Sequence, residues 1–302
     1  MNRYETCPVC DGSFKIWRTK VVMEEKYNID RCKTCGYAFV NPRPSLDFLM
    51  NFYSSFGHSH DGGANLIEDI EAVIARECRY PNSSLDARRM ISVINSLLRN
   101  KNTESKKFLD VGCGYGFFSK EAKDTGFDVL ALELARNEGK IAQEMAGVEP
   151  IACSFEEFEQ GDKSFGIVLM SQILEHALDV NLWMSKAHDL LADDGILAIA
   201  LPNFGSIFRL VMQEKEPYIC PPAHLNFFNP NNLGELLQKH GFVVEKTQWV
   251  SRLPSSSFEK RLPGFGQPFL PLVNAMSTAT LGAVDFLHLG MTINVYARKI
   301  DA

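Results

Sequence analysis

The chain has 302 residues, of which 45% are hydrophobic and 23% are charged, and its formal net charge at pH 7 is −6. This composition is ordinary for a globular protein, and the negative charge argues against a large basic surface for nucleic acid. The length exceeds the usual size of one domain, so we expect a main domain with an appended module.

Two pairs of cysteines with C-x-x-C spacing lie close to the start of the chain. Cys7 and Cys10 form the first pair, and Cys32 and Cys35 form the second. Four thiolates at such a spacing are typical of a tetrahedral zinc site, whereas a redox pair or two disulfides are the alternatives. We predict a zinc ribbon over residues 1–44, with a structural zinc ion because four sulfur ligands close the coordination sphere.

Residues 45–105 follow the ribbon and are predicted to be mostly helical. A run with two prolines at 41–44 interrupts regular structure before this segment. Beyond it, apolar residues recur at helical spacing, as at Ile67, Ile70 and Ile74. We interpret the segment as a helical linker or lid that precedes the main domain.

A glycine-rich loop follows the first predicted strand of the main domain. An apolar run leads into Asp110 and then into Gly112, Gly114 and Gly116, after which a helical pattern begins. Glycines are needed where the backbone turns tightly and approaches a ligand closely. The spacing lacks the third glycine of the dinucleotide pattern G-x-G-x-x-G. The carboxylate of Asp110 would repel a pyrophosphate and attract a cationic group.

The next predicted strand, residues 127–132, ends in Glu133. An acid about twenty residues beyond such a loop can hold the hydroxyl groups of a ribose. A cation-attracting loop and a ribose-binding acid together predict a nucleoside ligand with a cationic tail, and S-adenosylmethionine fits this description.

Strand and helix patterns alternate from residue 106 to the end, at 302, which predicts a mostly parallel sheet covered on both faces. An insertion at 251–289, rich in proline and glycine in its first half, interrupts the alternation and is predicted to be a lid or binding element. The predicted strands are 107–111, 127–133, 149–151, 165–170, 196–201, 242–250 and 291–298.

Four motifs in this order resemble those of class I S-adenosylmethionine-dependent methyltransferases. Besides the glycine loop, they are SQILEHALD at 171–179, DDGILAIALPN at 193–203 and AHLNFFNPNNLGELLQKHGF at 223–242. The resemblance covers residues 107–299 and implies an α/β fold with a Rossmann-like seven-stranded sheet whose last strand is antiparallel. It also implies S-adenosylmethionine as the cofactor. The alternative is a Rossmann-like domain that binds another nucleotide or no nucleotide.

Ligands of open α/β sheets bind beyond the carboxyl ends of the strands, and this rule collects the candidate site residues. The resemblance places Ser154 and Phe155 near the adenine. Gln172 and Asn203 follow the fourth and fifth predicted strands and are predicted to contact the substrate. The predicted cofactor-binding residues are Asp110, Gly112, Gly114, Gly116, Glu133, Ser154, Phe155 and Ser171.

Methyl transfer to a hydroxyl group requires a base, and histidine is the natural one near neutral pH. The chain has seven histidines, of which His176 and His224 lie at the predicted strand ends within the motifs. We predict that His224, and after it His176, is catalytic on the acceptor side. Each could instead stabilise a turn.

The leading interpretation is a methyltransferase acting on a hydroxyl of a sugar, a polysaccharide precursor or a natural-product intermediate. A ribbon followed by a methyltransferase domain resembles bacterial small-molecule and sugar methyltransferases. The sugar C-methyltransferases carry a further C-terminal domain, and its absence here favours O-methylation. The alternative is an RNA methyltransferase that binds its substrate through the ribbon, and the small basic excess in residues 1–44 gives it little support.

The sequence predicts a cytoplasmic protein. No secretory signal precedes the first cysteine pair. Residues 269–290 are long enough to cross a bilayer, but polar residues interrupt them, so no stable membrane insertion is predicted. The sequence makes no prediction about the oligomeric state.

Overall fold

The structure is a computed structural model that describes residues 3–22, 24–49, 52, 69–79, 81–99, 105–159, 165–252 and 279–300. Its strands are β1 (Phe14–Val22), β2 (Glu25–Cys32), β3 (Ala38–Val40), β4 (Lys107–Val111), β5 (Asp128–Leu132), β6 (Phe165–Ser171), β7 (Leu191–Pro202), β8 (Asn226–Phe227), β9 (Phe242–Val250) and β10 (Thr292–Lys299). Its helices are α1 (Ile70–Arg79), α2 (Ser83–Arg99), α3 (Phe117–Asp124), α4 (Arg136–Ala146), α5 (Val180–Leu190), α6 (Ile207–Met212) and α7 (Pro230–Lys239), with short 3₁₀ turns at Leu174–His176 and Gln213–Lys215.

The N-terminal module, residues 3–44, contains the smaller of two β-sheets. Strands β1, β2 and β3 form an antiparallel series, and β8 from the second half of the chain pairs antiparallel with β3. The rings of Tyr37, Phe39 and Phe228 are buried together and belong to the same hydrophobic core as the main sheet. The module is therefore continuous with the larger part of the molecule.

The larger sheet has the strand order β5-β4-β6-β7-β10-β9. Strand β4 is parallel to β5 and β6, β6 is parallel to β7, and β10 is antiparallel to both β7 and β9. The predicted α/β fold with an antiparallel last strand is therefore confirmed.

The predicted count of seven strands is not confirmed, because this sheet has six strands within the described residues. The segment 149–151 forms a single parallel bridge between Leu132 and Ile151 in place of a strand. Its middle residue is Pro150, which has no backbone N–H to donate to a ladder.

Helices cover both faces of the larger sheet. On one face, Met90, Ile91 and Ile94 of α2 pack against buried side chains of the strands, including Phe108 and Tyr296. Helices α5 and α7 pack against the other face. Helix α2 lies in the segment predicted as a linker or lid, and in the structure it covers the sheet. The rest of that segment is described only at 46–49, 52 and 69–79, and in short flanking stretches.

The insertion predicted at 251–289 lies largely outside the described residues, which resume at 279. Residues 279–286 are helical, and the backbone N–H of Ile207 at the start of α6 donates to the carbonyl of Leu289. No helix in the described ranges combines the length and the apolar character needed to cross a membrane.

Candidate active site

The glycine loop, residues 112–116, connects β4 to α3. Gly112, Gly114 and Gly116 have φ angles of +67°, +53° and +81°, in the left-handed region where a side chain is strained. A Cβ atom on Gly116 would lie 2.9 Å from the Cα atom of Ala142, so this glycine lets α4 pack closely. A Cβ atom on Gly114 would meet nothing within 4 Å. The loop therefore presents open space at Gly114, as a ligand-binding loop must.

Glu133 stands directly beyond β5 and reaches back to this loop. Its carboxylate is buried, and it accepts hydrogen bonds from the backbone N–H groups of Gly114 and Ala135, each at 2.8 Å. The structure thus brings the predicted ribose-binding acid next to the predicted loop. An acid in this position has both oxygen atoms oriented by backbone amides at the rim of the open space.

Asp110 lies in β4, just before the glycine loop, and its carboxylate is buried beneath the loop. The hydroxyl of Ser119 on α3 donates to it at 2.6 Å. Burial, which deprives the charged form of its water, and the neighbouring Glu133 together raise the pKa of Asp110 to about 6. In this structure the carboxylate tethers α3 to β4 from below the loop.

The residues predicted near the adenine follow the bridge at Ile151. Ser154 forms a local turn, in which its backbone N–H and its hydroxyl both donate to the carboxylate of Glu157. The ring of Phe155 is buried, with its centroid 5.1 Å from that of Trp183. Phe155 is therefore a core residue in this structure, and Ser154 is the more accessible of the two.

The chain turns sharply at the carboxyl end of β6, next to the glycine loop. Ser171 ends the strand, and Gln172 has a φ angle of +55°, which is uncommon for a residue with a side chain. The backbone N–H of Gln172 donates to the carbonyl of Ala200 at 2.7 Å. A Cβ atom on Gly112 would lie 2.9 Å from Cδ1 of Ile173, so this turn and the glycine loop touch.

Asn203, predicted to contact the substrate, lies beyond β7 with its side chain buried. Its amide donates to the carbonyl of Gly290 at 2.9 Å, and its carbonyl oxygen accepts from the N–H of Gly205 at 2.8 Å. These bonds stabilise the turn before α6. A substrate contact by this side chain stays a prediction.

The two predicted catalytic histidines meet, although they lie far apart in the sequence. The ring centroids of His176 and His224 are 4.8 Å apart, and the ring planes cross at 88°. Nδ1 of His176 lies 2.8 Å from the carbonyl oxygen of Ala223, and Nδ1 of His224 lies 2.7 Å from that of Tyr218. A carbonyl only accepts, so Nδ1 carries the hydrogen in both rings and the neutral imidazole has its lone pair on Nε2.

Glu175 completes a cluster with these histidines, which we call the Glu–His–His cluster (Glu175, His176 and His224). One side-chain ligand atom from each residue lies within 4.8 Å of the others. The Glu175 side chain is buried, and burial raises its pKa to about 8. The position beyond the fourth predicted strand was the only sequence signal for Glu175, whereas its burial beside both histidines emerges only in three dimensions.

A buried network that sequence reasoning missed joins the N-terminal module to this cluster. The amide of Asn226 donates to the carbonyls of Leu174, Glu175 and Ala177 at 3.2, 3.3 and 2.7 Å. Its carbonyl oxygen accepts from Tyr37 and Arg43, each at 2.5 Å. Arg43 also donates to the carbonyl of Leu225 at 2.8 Å, and the N–H of Leu225 donates to the carbonyl of Glu175 at 2.8 Å.

The four cysteines of the N-terminal module form a second cluster, in which the Sγ atoms lie within 4.8 Å of one another. Cys7 and Cys35 are 3.7 Å apart, and Cys10 and Cys32 are 3.5 Å apart, far beyond the length of a disulfide. Sulfur atoms bound to one zinc ion at about 2.3 Å would lie roughly 3.8 Å apart, so the four thiols fit such an ion. The hydrogen bond from Cys35 lowers the pKa of Cys7 to about 6.

Residues 83–247 match the family model described as "Methyltransferase domain", which covers more than half of the chain. The chain belongs to the methyltransferase domain family. The fold and this match together identify a class I S-adenosylmethionine-dependent methyltransferase domain. The prediction of a methyltransferase is confirmed.

Curated relatives include ubiquinone biosynthesis O-methyltransferases. The mitochondrial protein of Rattus norvegicus is 25% identical over 173 residues, which are 52% of this chain and 50% of the relative. The protein of Pelagibacter ubique is 26% identical over 160 residues, which are 49% of this chain and 65% of the relative. The chain spans about half the length of the first curated relatives it matches.

Solved structures of methyltransferases share the fold. A methyltransferase from Archaeoglobus fulgidus has a TM-score of 0.51 at 17% identity, covering 75% of this chain and 99% of its own. Magnesium protoporphyrin IX methyltransferase from Synechocystis PCC 6803, with bound S-adenosylhomocysteine, has a TM-score of 0.51 at 14% identity, covering 85% of this chain and 100% of its own. At these identities the likeness extends to the fold alone.

Proposed function

We propose that this methyltransferase transfers the methyl group of S-adenosylmethionine to a hydroxyl group of a small molecule. The observation that carries the proposal is the Glu–His–His cluster. Glu175 and His176 follow the turn beyond β6 that touches the glycine loop, and His224 packs against His176 from a separate loop. A cofactor held by that loop would direct its sulfonium toward this edge of the sheet, where ligands of such sheets bind.

The glycine loop, Asp110 and Glu133 form what we call the cofactor half of the site. These residues fit S-adenosylmethionine, which supplies an activated methyl group on a positively charged sulfur. The open space at Gly114 admits a ligand to the backbone, and the N-terminal amides of α3 suit its carboxylate. The carboxylate of Glu133 stands where ribose hydroxyls would bind, and Asp110 adds negative charge beneath the loop.

The part of the site around the Glu–His–His cluster, which we call the acceptor half, must orient a hydroxyl group and take its proton. Without a metal ion, His224 performs this task, because its bond to the carbonyl of Tyr218 leaves the Nε2 lone pair as the proton acceptor. His176 lies against its ring and helps to orient the hydroxyl. Gln172, at the strained turn beyond β6, is a further proposed substrate contact.

Relatives named as O-methyltransferases support a hydroxyl as the acceptor group. The choice of a sugar, a polysaccharide precursor or a natural-product intermediate is part of the proposal, as is a cytoplasmic location. The comparisons give no support to RNA methylation. We further propose that the four cysteines of the N-terminal module bind one structural zinc ion, which metal analysis of the purified protein would test.

The test of the function uses a panel of sugar, sugar-nucleotide and phenolic acceptors with labelled S-adenosylmethionine. His224→Ala should lower turnover by about 10²–10⁴-fold, the usual share of a general base, and leave cofactor affinity unchanged in calorimetry. The loss should shrink at high pH, where an acidic hydroxyl needs less help. The matched control His240→Ala removes a histidine that bonds Ser185 and Asn181 instead of the cluster. Parallel loss of stability and cofactor binding in His224→Ala, with normal turnover per folded molecule, would reject the role.

A further inference from the structure

Neighbouring backbone groups orient the side chains of the Glu–His–His cluster. The carbonyls of Ala223 and Tyr218 fix the tautomers of His176 and His224, so that each neutral ring has its lone pair on Nε2. Metal-binding histidines are held in the same way, since the nitrogen that does not bind the metal donates to a carbonyl or a carboxylate. Two separate loops of the chain therefore bring one ring nitrogen of each histidine within 4.8 Å of the other.

Glu175 adds an unsatisfied oxygen to this arrangement. Its side chain is only 2% exposed, and Oε2 has no hydrogen-bond partner among the described residues. A buried polar atom without a partner is costly, and native structures rarely keep one without a reason. One oxygen of the same carboxylate lies within 4.8 Å of a ring nitrogen of each histidine.

We propose that Glu175, His176 and His224 bind one divalent first-row transition-metal ion. Two imidazoles and one carboxylate are the ligands that zinc, iron(II) and manganese take in catalytic sites, and they leave coordination positions open. The ligand atoms would draw together slightly on binding, because atoms around such an ion lie closer than 4.8 Å.

The surrounding hydrogen bonds support a preformed site over an accidental cluster. The backbone carbonyl of Glu175 is held by the N–H of Leu225 and by the amide of Asn226. The loop that carries His224 is held in turn by Arg43 through the carbonyl of Leu225. Outer-shell contacts of this kind orient ligands and hold a site open for its ion.

The use of the ion, though not its binding, rests on the proposed function. An acceptor hydroxyl that coordinates the ion loses its proton to solvent at a lower pH than a free hydroxyl. Its oxygen lone pair then forms the new bond to the methyl carbon, while the electrons of the broken carbon–sulfur bond remain on sulfur and give neutral S-adenosylhomocysteine. With the ion bound, the histidines act as ligands and take no proton.

Cobalt(II) is a suitable probe because it reports its ligands by colour. The full chain is stripped with a chelator and titrated with Co²⁺, and the four-cysteine site gives thiolate charge-transfer bands. A site with nitrogen and oxygen ligands gives only weak visible bands. We expect the wild type and His240→Ala to show both signals, and His224→Ala and Glu175→Gln to keep the thiolate bands and lose the others.

The affinity of Co²⁺ for this second site should fall by more than the roughly 10–100-fold that loss of an outer-shell partner costs. Glu175→Gln preserves the shape of the side chain and answers the question if His224→Ala does not fold. Equal Co²⁺ binding with identical spectra in the wild type and Glu175→Gln would overturn the proposal. Ion binding without methyl transfer would contradict the proposed function alone, and methyl transfer in a chain that binds no second ion would contradict the metal site alone.

Discussion

The cofactor half of the site is built from one continuous β-α-β segment, whereas the acceptor half is assembled from three separate parts of the chain. The glycine loop and Glu133 lie on neighbouring parallel strands, β4 and β5, and are joined by a hydrogen bond at Gly114. His176 and His224 come from different loops, and the N-terminal module holds both loops through Asn226. The two halves should therefore respond differently to damage in the module.

Cys32→Ser is expected to give the largest difference between the effect on the acceptor half and the effect on the cofactor half. Metal binding and folding are coupled in small cysteine modules, so loss of the proposed zinc should unfold the module and leave the larger sheet intact. Because β8 pairs with β3 of that module, the loop that carries His224 should lose its support. We expect methyl transfer to disappear while calorimetry still detects S-adenosylhomocysteine binding.

Cys78→Ser is the matched control, because Cys78 is exposed on α1 and lies outside the four-cysteine cluster. It should leave zinc content, turnover and cofactor affinity unchanged. Loss of cofactor affinity together with zinc in Cys32→Ser would show that the module supports both halves.

Asn226→Asp is expected to give a smaller effect, in which turnover falls further than stability. The substitution keeps an acceptor for Tyr37 and Arg43, but it replaces the amide that donates to the carbonyls of the Leu174–His176 turn. Leaving such buried acceptors unsatisfied should cost about 1–3 kcal/mol in the free energy of unfolding. Turnover should fall further than stability predicts, because the cluster loses its alignment.

Asn181→Asp controls for stability alone, and chemical denaturation with single-turnover kinetics would measure both variants. The amide of Asn181 donates to the carbonyl of Pro8 at 2.9 Å and so joins the same two parts of the chain away from the cluster. This variant should lose stability and keep its turnover per folded molecule. If both variants lose turnover equally, Asn226 has only a structural role.

Much of the cofactor half could be predicted from the sequence because its determinants are local. Positive φ angles require the glycines of the loop, and the acid follows at the end of the next strand. The acceptor half was predicted only in part, since the meeting of His176 and His224 depends on contacts between distant segments. Nothing near Asn226 in the sequence indicates that Arg43 and Tyr37 would bury it.

The difference in the strand count has an equally local cause. The expected strand at 149–151 is a single bridge at Ile151, because Pro150 cannot extend the ladder. Asn203 follows β7 as expected and also bonds Gly205 and Gly290, which no sequence pattern reveals, and its contact with the substrate stays a prediction.

The smallest effect, confined to the cofactor half, is expected for Glu133→Ala. The carboxylate now accepts from the amides of Gly114 and Ala135, and a ribose would bond to the same oriented oxygens. Removing it should weaken S-adenosylmethionine binding by about 1–3 kcal/mol, the range for a hydrogen bond to a charged group. Turnover at saturating cofactor should change little, because the acceptor cluster does not depend on Glu133.

Glu149→Ala removes the same charge from an exposed position just before the bridge at Ile151 and should leave the affinity unchanged. Calorimetry that finds equal affinities for the two variants would mean that Glu133 serves only to hold the loop.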